Sequence, residues 1–122
     1  MKQEDFNELF RQRTKKLALD IIRIVSPVKY SDALGIIRKQ LIDACTSVAS
    51  NFRATCRARS ERERYAKLCI VVEEADETVF WIEMLVDGEF ISDTLFSKCK
   101  NEAEEILKVM ASFKKRLDPK YA

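Results

Sequence analysis

Histidine is absent from the 122 residues of this chain, and glycine and proline occur only twice each. Without histidine, the chain cannot build the Glu-x-x-His motifs of di-metal helical bundles, and a Cys or Ser nucleophile lacks its usual base. The scarcity of helix-breaking residues favours long uninterrupted helices over a loop-rich or all-β fold. These absences predict an all-α protein that is not an enzyme and has no catalytic residues and no cofactor.

Long apolar runs and clustered cysteines are also missing. No apolar run approaches the roughly 20 residues of a membrane span, and the acidic N-terminal segment has no apolar region of a signal peptide. The four cysteines lack any C-x-x-C spacing, which argues against a zinc site. We therefore expect a cytoplasmic protein with free thiols, no metal and no membrane contact.

The charges balance overall but are unevenly distributed. There are 22 basic and 20 acidic residues. Residues 1–72 contain 15 Lys/Arg and 8 Asp/Glu, whereas residues 73–122 contain 7 and 12. This asymmetry permits a basic surface that meets nucleic acid, and it equally permits neutralisation within one subunit or between subunits.

Apolar residues recur at steps of three and four along most of the chain, which predicts four amphipathic helices at about 3–25, 32–57, 61–87 and 93–117. The third and fourth helices each have a regular apolar seam. The seam of the third helix consists of Tyr65, Leu68, Val72, Ala75, Val79, Ile82 and Val86. The seam of the fourth helix consists of Leu95, Cys99, Ala103, Ile106, Met110, Phe113 and Leu117. Short links force neighbouring helices to run antiparallel. The predicted fold is all-α, an antiparallel up-down four-helix bundle forming a single domain over residues 1–122.

The predicted helix ends carry their own signals. Ser60 fits the N-cap of the third helix, with Glu63 placed to complete a capping box. Ser92 or Asp93 caps the fourth helix. At the end of the third helix, Gly88 suits the left-handed position that follows a helix.

Basic residues crowd around the predicted turn between the second and third helices. The cluster consists of Arg53, Arg57, Arg59, Arg62, Arg64 and Lys67. Arginines beside an aromatic ring such as Tyr65 can hold phosphates and stack on bases, so these six are candidate nucleic-acid contacts. The alternative is that they pair with Glu61, Glu63 and the carboxylates of the third helix, within or between subunits.

The next turns of the third helix are acidic and then aromatic. Glu73, Glu74 and Glu77 are candidate salt-bridge or interface groups; with Asp76 they could gather a hard cation, although a solvated or paired acidic face fits them better. Phe80 and Trp81 are adjacent, and adjacent helical positions lie about 100° apart. One of these two rings must therefore point away from the seam, which indicates a wide core face or a self-association interface.

Cys56 lies among the arginines of the turn. Cations near a thiol lower its pKa, so a reactive cysteine is one interpretation of this position. A small packing residue near a helix end is the interpretation that the sequence favours.

Residues 51–83 carry a resemblance to a known family. The matching segments are Asn51–Ala54, Cys56–Ser60, Lys67, Ile70, Glu73-Glu74, Asp76-Glu77 and Phe80–Glu83. Together they resemble the central signature of the four-helix-bundle family named for proteins encoded in intervening sequences of bacterial 23S rRNA genes. The resemblance implies an antiparallel bundle, a homopentamer and a tie to RNA or DNA. Relatives in diversity-generating retroelements are basic, barrel-like pentamers that assist a reverse transcriptase and its RNA, so a reverse transcriptase is an implied partner.

Two functions remain open from the sequence. The first is a non-enzymatic, oligomeric, nucleic-acid-associated accessory module in which Arg53, Arg57 and Arg59 hold phosphates. The second is a homo-oligomeric protein-interaction scaffold that binds no nucleic acid, in which Arg53 and Arg57 meet the acidic segment of a neighbouring subunit. The near-neutral net charge is a departure from the basic accessory proteins of the retroelements.

Overall fold

Four α-helices make up the protein in the computed structural model, which describes residues 1–117 and Lys120. They are α1 (Gln3–Val25), α2 (Asp32–Cys56), α3 (Glu61–Asp87) and α4 (Asp93–Lys115). Each helix packs against the one before it in the chain, and α1 also meets α4 and closes the bundle. The predicted all-α, up-down four-helix bundle is confirmed. Helix α2 ends one residue and α4 two residues before the expected ends, because Arg57 leaves the helical region at φ −105° and the N–H of Arg116 turns back to Phe113 O.

Serine side chains begin three of the helices. Ser31, Ser60 and Ser92 each accept a hydrogen bond from the backbone N–H three residues later, at 3.1–3.2 Å. Such N-caps typically contribute about 1 kcal/mol each. The expected capping box at Ser60 is incomplete, because the carboxylate of Glu63 lies 3.5 Å from Arg59 Nε instead of bonding back to the cap.

The end of α3 differs from the sequence prediction. Glu89, and not Gly88, has the left-handed backbone, with φ at 63°. Gly88 lies at φ −79°. The N–H of Phe90 donates to Leu85 O at 2.9 Å, and that of Glu89 to Val86 O at 3.0 Å. These two bonds form a Schellman motif in which Glu89 holds the position that usually belongs to glycine.

Crowding explains why glycine stands one residue earlier. A Cβ on Gly88 would lie 2.8 Å from the carbonyl oxygen of Met84 and 3.0 Å from the ring of Phe90. The ring folds back over the helix end and leaves no room for a side chain there. Gly88 is therefore placed by close packing, and Glu89 bears the unfavourable backbone angle.

Glu89→Gly should raise the free energy of unfolding by about 0.5–1 kcal/mol. The gain follows because a left-handed residue with a Cβ costs about 1–2 kcal/mol, part of which the flexibility of glycine in the unfolded chain offsets. Asp87→Gly, two residues earlier and within the helix, should instead lower the free energy of unfolding by about 1 kcal/mol. Urea unfolding monitored by circular dichroism measures both, and changes of the same sign would contradict the assignment.

The core runs along the middle of the bundle, and α3 supplies a slightly different stripe from the one predicted. Its deeply buried residues are Leu68, Val71, Ala75, Thr78, Val79, Ile82 and Leu85. Tyr65, Val72 and Val86, which the sequence pattern placed in the seam, are only half-buried. Thr78 can be buried because its hydroxyl donates to the backbone oxygen of Glu74 at 2.8 Å. Because this hydrogen bond is made within the helix, the polar Thr78 can occupy a core position.

Two leucines of the amphipathic helices lie on the surface, and one of them, Leu95, was predicted in the seam of the fourth helix. Leu9 of α1 is 40% exposed and Leu95 of α4 is 55% exposed, whereas the neighbouring Phe96 is fully buried. On α4 the core stripe therefore begins one residue later than expected.

A bidentate ion pair joins α1 to α4. Arg13 Nε lies 2.9 Å from Glu102 Oε2, and Arg13 Nη2 lies 2.6 Å from Glu102 Oε1. The same guanidinium lies 4.6 Å from the ring centroid of Phe10. The α1–α4 interface is the sparsest of the four between neighbouring helices, so this pair supplies a large share of its specific contacts.

Candidate nucleic-acid interface

A groove of about 480 Å³ runs between α1 and α2 on the outside of the bundle. Its lining consists of Arg11, Gln12, Lys15, Ala18, Leu19, Ile22, Thr46, Ala49, Ser50, Arg53 and Arg57. Small side chains on both helices leave the space open. Four of the lining residues are cations, and two of them, Arg53 and Arg57, belong to the predicted basic cluster.

The cations of the groove are largely free. Lys15, Arg53 and Arg57 are exposed, and their side chains make no ion pair or hydrogen bond with any residue of 1–117 or Lys120. Arg11 is the exception, since its Nη2 lies 2.6 Å from Glu8 Oε2. Within the described chain, no Asp or Glu lines the groove. The site therefore presents positive charge that the subunit itself does not neutralise.

Arg59 and Arg64 lie elsewhere, in a smaller pocket of about 240 Å³ at the end of the bundle. Arg64 Nη1 pairs with Glu61 at 3.2 Å, and its guanidinium lies 5.5 Å from the ring centroid of Phe113. Arg59 pairs with Glu63 across 3.5 Å. For Arg59 and Arg64, the structure therefore has the alternative that the sequence left open, which is pairing with Glu63 and Glu61 within the subunit.

The last two members of the predicted cluster are separate again. Arg62 is exposed and Lys67 is half-buried on α3, and neither lines the groove. The six predicted contacts are thus divided among the groove, the end pocket and the surface of α3. Of the six, only Arg53 and Arg57 line the α1–α2 groove.

Arg11 and Lys15 complete the groove and were missed by the sequence reasoning. They lie four residues apart on α1, as Arg53 and Arg57 do on α2, so each pair forms one face of its helix. In an antiparallel pair of helices, the start of α1 lies beside the end of α2. That topology, combined with the matching spacing, is the signal that could have identified them.

Cys56 is not an activated thiol. Burial raises its pKa, and this effect outweighs the opposing charges of Arg11, Arg64 and Arg57. The arginines do lower the pKa of this thiol, but burial raises it by more, so the net shift does not support the interpretation of a reactive cysteine. Burial acts more strongly on Cys45 and raises its pKa to about 12.

The carboxylates Glu73, Glu74 and Glu77 of α3 lie close to one another, and Glu74 also lies close to Asp43 of α2. Burial raises the pKa of Glu74, and a hydrogen bond to Glu77 and the negative charges of Glu77, Glu73 and Asp43 raise it further. Among the described residues, no cation pairs with Glu73, Glu74 or Glu77. The predicted pairing of these three carboxylates with the arginines does not occur within the subunit, so as interface groups they remain a prediction.

Glu74→Gln should stabilise the fold at pH 7 by about 0.5 kcal/mol, the scale of like-charge pairs on a helix. A carboxyl whose pKa is raised by folding binds its proton more tightly in the folded state. Its ionisation therefore costs stability as pH rises from the ordinary pKa of Glu through the raised one. The gain should vanish as the pH falls below the ordinary pKa of Glu, where both states become protonated. Thermal unfolding across this range measures it, with Glu83→Gln as the exposed control; a gain independent of pH would contradict the argument.

An exposed apolar surface adjoins the carboxylates. Phe80 is 50% exposed, and its ring meets that of Trp81 edge to face at 4.8 Å. Trp81 is half-buried and packs against the core. One ring of the pair thus points away from the core, as predicted. Met84, one turn further along α3, and Ile36 of α2 are also exposed.

Over 1–117 and Lys120, no three Cys, Asp or Glu side chains are grouped so as to hold a metal ion. No helix in that part of the chain is both long enough and apolar enough to cross a membrane.

Comparisons with known proteins agree with the bundle and its central signature. The chain is similar to a crystal structure of a protein with unknown function from the S23 ribosomal protein family from Bacteroides thetaiotaomicron VPI-5482, with 26% sequence identity and a TM-score of 0.80. The match covers 89% of this chain and 97% of that one. No curated protein matches the chain significantly. The family model described as 23S rRNA-intervening sequence protein matches residues 8–112. The chain therefore belongs to the 23S rRNA-intervening sequence protein family.

Proposed function

We propose that the protein is a non-enzymatic, oligomeric accessory module of the cytoplasm that associates with nucleic acid through the α1–α2 groove. The observation that carries this proposal is the set of free cations in one concave site. Lys15, Arg53 and Arg57 face solvent without an intramolecular partner, and within the described chain no carboxylate lines the same groove. Cations that are left unpaired in the subunit are available to phosphates.

The assembly part of the proposal rests on the exposed apolar surface of α3. Phe80 and Met84 lie one turn apart on α3 and are 50% and 40% exposed, and large apolar side chains grouped on the exposed face of a helix are typical of interfaces. A homopentamer, as the family resemblance implies, would repeat the groove five times and multiply its modest charge. RNA is the nucleic acid that the resemblance favours, and a reverse transcriptase is the protein partner it implies.

Light scattering with and without a structured RNA, at low and at physiological salt, tests the proposal. We expect an oligomer whose mass increases on adding RNA at both salt concentrations, with affinity that falls linearly with salt on logarithmic axes. A protein that ignores RNA even at low salt would overturn the nucleic-acid part. A monomer at all concentrations would overturn the assembly part.

The second candidate function is a homo-oligomeric scaffold without nucleic-acid binding. Its support is that, within residues 1–117 and Lys120, Glu73, Glu74 and Glu77 have no ion pair with a cation, and Arg53 and Arg57 have no ion pair with a carboxylate. Opposite charges on different faces of one subunit favour a head-to-tail contact between copies. In that case Arg57→Glu dissociates the oligomer, and Arg57→Glu combined with Glu74→Arg restores part of it.

A further inference from the structure

The α1–α2 groove has two chemically different halves. Two contacts fix the alignment of the helices: Arg11 lies beside Cys56, and Arg38 Nη1 donates to the backbone oxygen of Val25 at 3.1 Å. The groove therefore runs from a cationic half, where the start of α1 meets the end of α2, to a half lined by small and apolar side chains. The cationic half holds Arg11, Lys15, Arg53 and Arg57 with Gln12. The other half, called apolar below, holds Ala18, Leu19, Ile22 and Ala49 with the small polar residues Thr46 and Ser50.

The apolar half has a role that phosphate binding alone does not explain. Leu19 is 39% exposed on the edge of the groove, although its neighbour Ala18 is buried. A site that recognised only phosphates would gain nothing from aliphatic side chains. A ligand with an anionic part and a flat, weakly polar part would contact both halves together.

We propose that the groove binds a single-stranded segment of nucleic acid, with phosphates on the cations and an unstacked base over Leu19 and Ile22. The proposal rests on the proposed function and adds which form of nucleic acid the site accepts. A volume of about 480 Å³ suits a ligand of nucleotide size. Proteins that bind single strands commonly combine a basic groove with aromatic side chains on which bases stack; in this groove the aliphatic Leu19 and Ile22 take the place of the aromatic rings.

A duplex cannot use both halves. Its bases are paired and stacked inside, and its outer surface presents phosphates and sugars. A double helix can therefore touch the rim cations, but it has no free base to place on the apolar floor. Electrostatics alone gives the opposite preference, because a duplex carries more charge per unit length than a single strand and binds cations more strongly. A preference for the single strand would thus indicate that the apolar half of the groove contributes to binding.

The test uses a labelled RNA of about 15 nucleotides without self-complementarity, free or annealed to its complement. Fluorescence anisotropy at physiological salt measures its affinity for the full chain. We expect the free strand to bind at least about tenfold more tightly than the duplex. Leu19→Gln should weaken binding of the free strand about three- to tenfold and leave the duplex unchanged, because only the unpaired base removes the apolar surface of Leu19 from water.

A matched control and the reverse outcomes separate this inference from the proposed function. Leu9→Gln removes a leucine of the same helix that is 40% exposed, against 39% for Leu19, and lies outside the groove lining, so it should change neither affinity. Equal binding of both forms, unaffected by Leu19→Gln but weakened by Arg57→Ala, would overturn the single-strand inference and leave the proposed function standing. Binding of neither form at low salt would overturn both.

Discussion

Replacing Arg53 and Arg57 together by Glu should weaken binding of a single-stranded RNA at least about a hundredfold at physiological salt. Both side chains are exposed and without an ion pair in the described chain, so each is free to hold a phosphate. A charge-assisted hydrogen bond contributes about 1.5–3 kcal/mol, and a carboxylate in its place repels the backbone. Loss of two phosphate contacts should also reduce the slope of log affinity against log salt by about 1.4. Anisotropy titrations over a salt series measure both quantities.

Arg59→Glu with Arg62→Glu is the matched control for this reversal. It changes the net charge by the same amount, on two exposed arginines that do not line the groove. We expect only a small general weakening from the altered net charge. Equal losses in the two double variants would show that overall charge, and not the groove, determines binding. Circular dichroism of each variant checks that the helices are intact.

Phe52→Ala should lower the free energy of unfolding by about 3–5 kcal/mol, the range for removing a buried phenylalanine. Phe52 is fully buried in α2 and is among the largest side chains of the core. Its ring lies edge to face with that of Phe6, with centroids 6.4 Å apart. Because α2 packs against both α1 and α3, the cavity left by the ring would lie between three helices. Urea unfolding followed by circular dichroism measures the loss.

Phe80→Ala provides the comparison within the same residue type. Its ring is half exposed, so we expect its removal to cost the isolated subunit less than about 1 kcal/mol. Measuring both variants at two protein concentrations separates a contribution from self-association, which would depend on concentration. Similar losses for the two phenylalanines in a dilute sample would contradict the assigned burial.

Most of the architecture could be predicted because the helical signals in the sequence agree with one another. The spacing of apolar residues and the serine caps at Ser31, Ser60 and Ser92 mark helices, and short links leave one way to arrange them. The errors arose where neighbouring residues offer equivalent choices. Val71 and Val72 are both β-branched and apolar, and the pattern alone cannot tell which of them faces the centre. The left-handed Glu89 was unpredictable for another reason, since only the folded-back ring of Phe90 excludes a side chain from position 88.

The site was less predictable because it depends on contacts between helices. Sequence proximity grouped Arg53 and Arg57 with Arg59 and Arg64, but the turn directs the latter pair toward Glu63 and Glu61. Arg11 is distant from all of them in sequence and joins the groove through the packing of α1 on α2. The direction of the pKa shift of Cys56 was also unpredictable, because it is set by burial, and burial cannot be inferred from the charged residues that are near in sequence.

The order of helix contacts has a consequence for how the chain folds. The pairs α1–α2, α2–α3 and α3–α4 each join segments connected by a few residues, and α2 with α3 forms the most extensive interface. Such local topology gives a low contact order, which is typical of chains that fold in microseconds to milliseconds. The α1–α4 pairing instead joins segments that are 89 positions apart at Arg13 and Glu102. Forming it therefore carries the entropic cost of closing a long loop. We therefore expect folding to begin with the α2–α3 hairpin and to end with the docking of α1 onto α4.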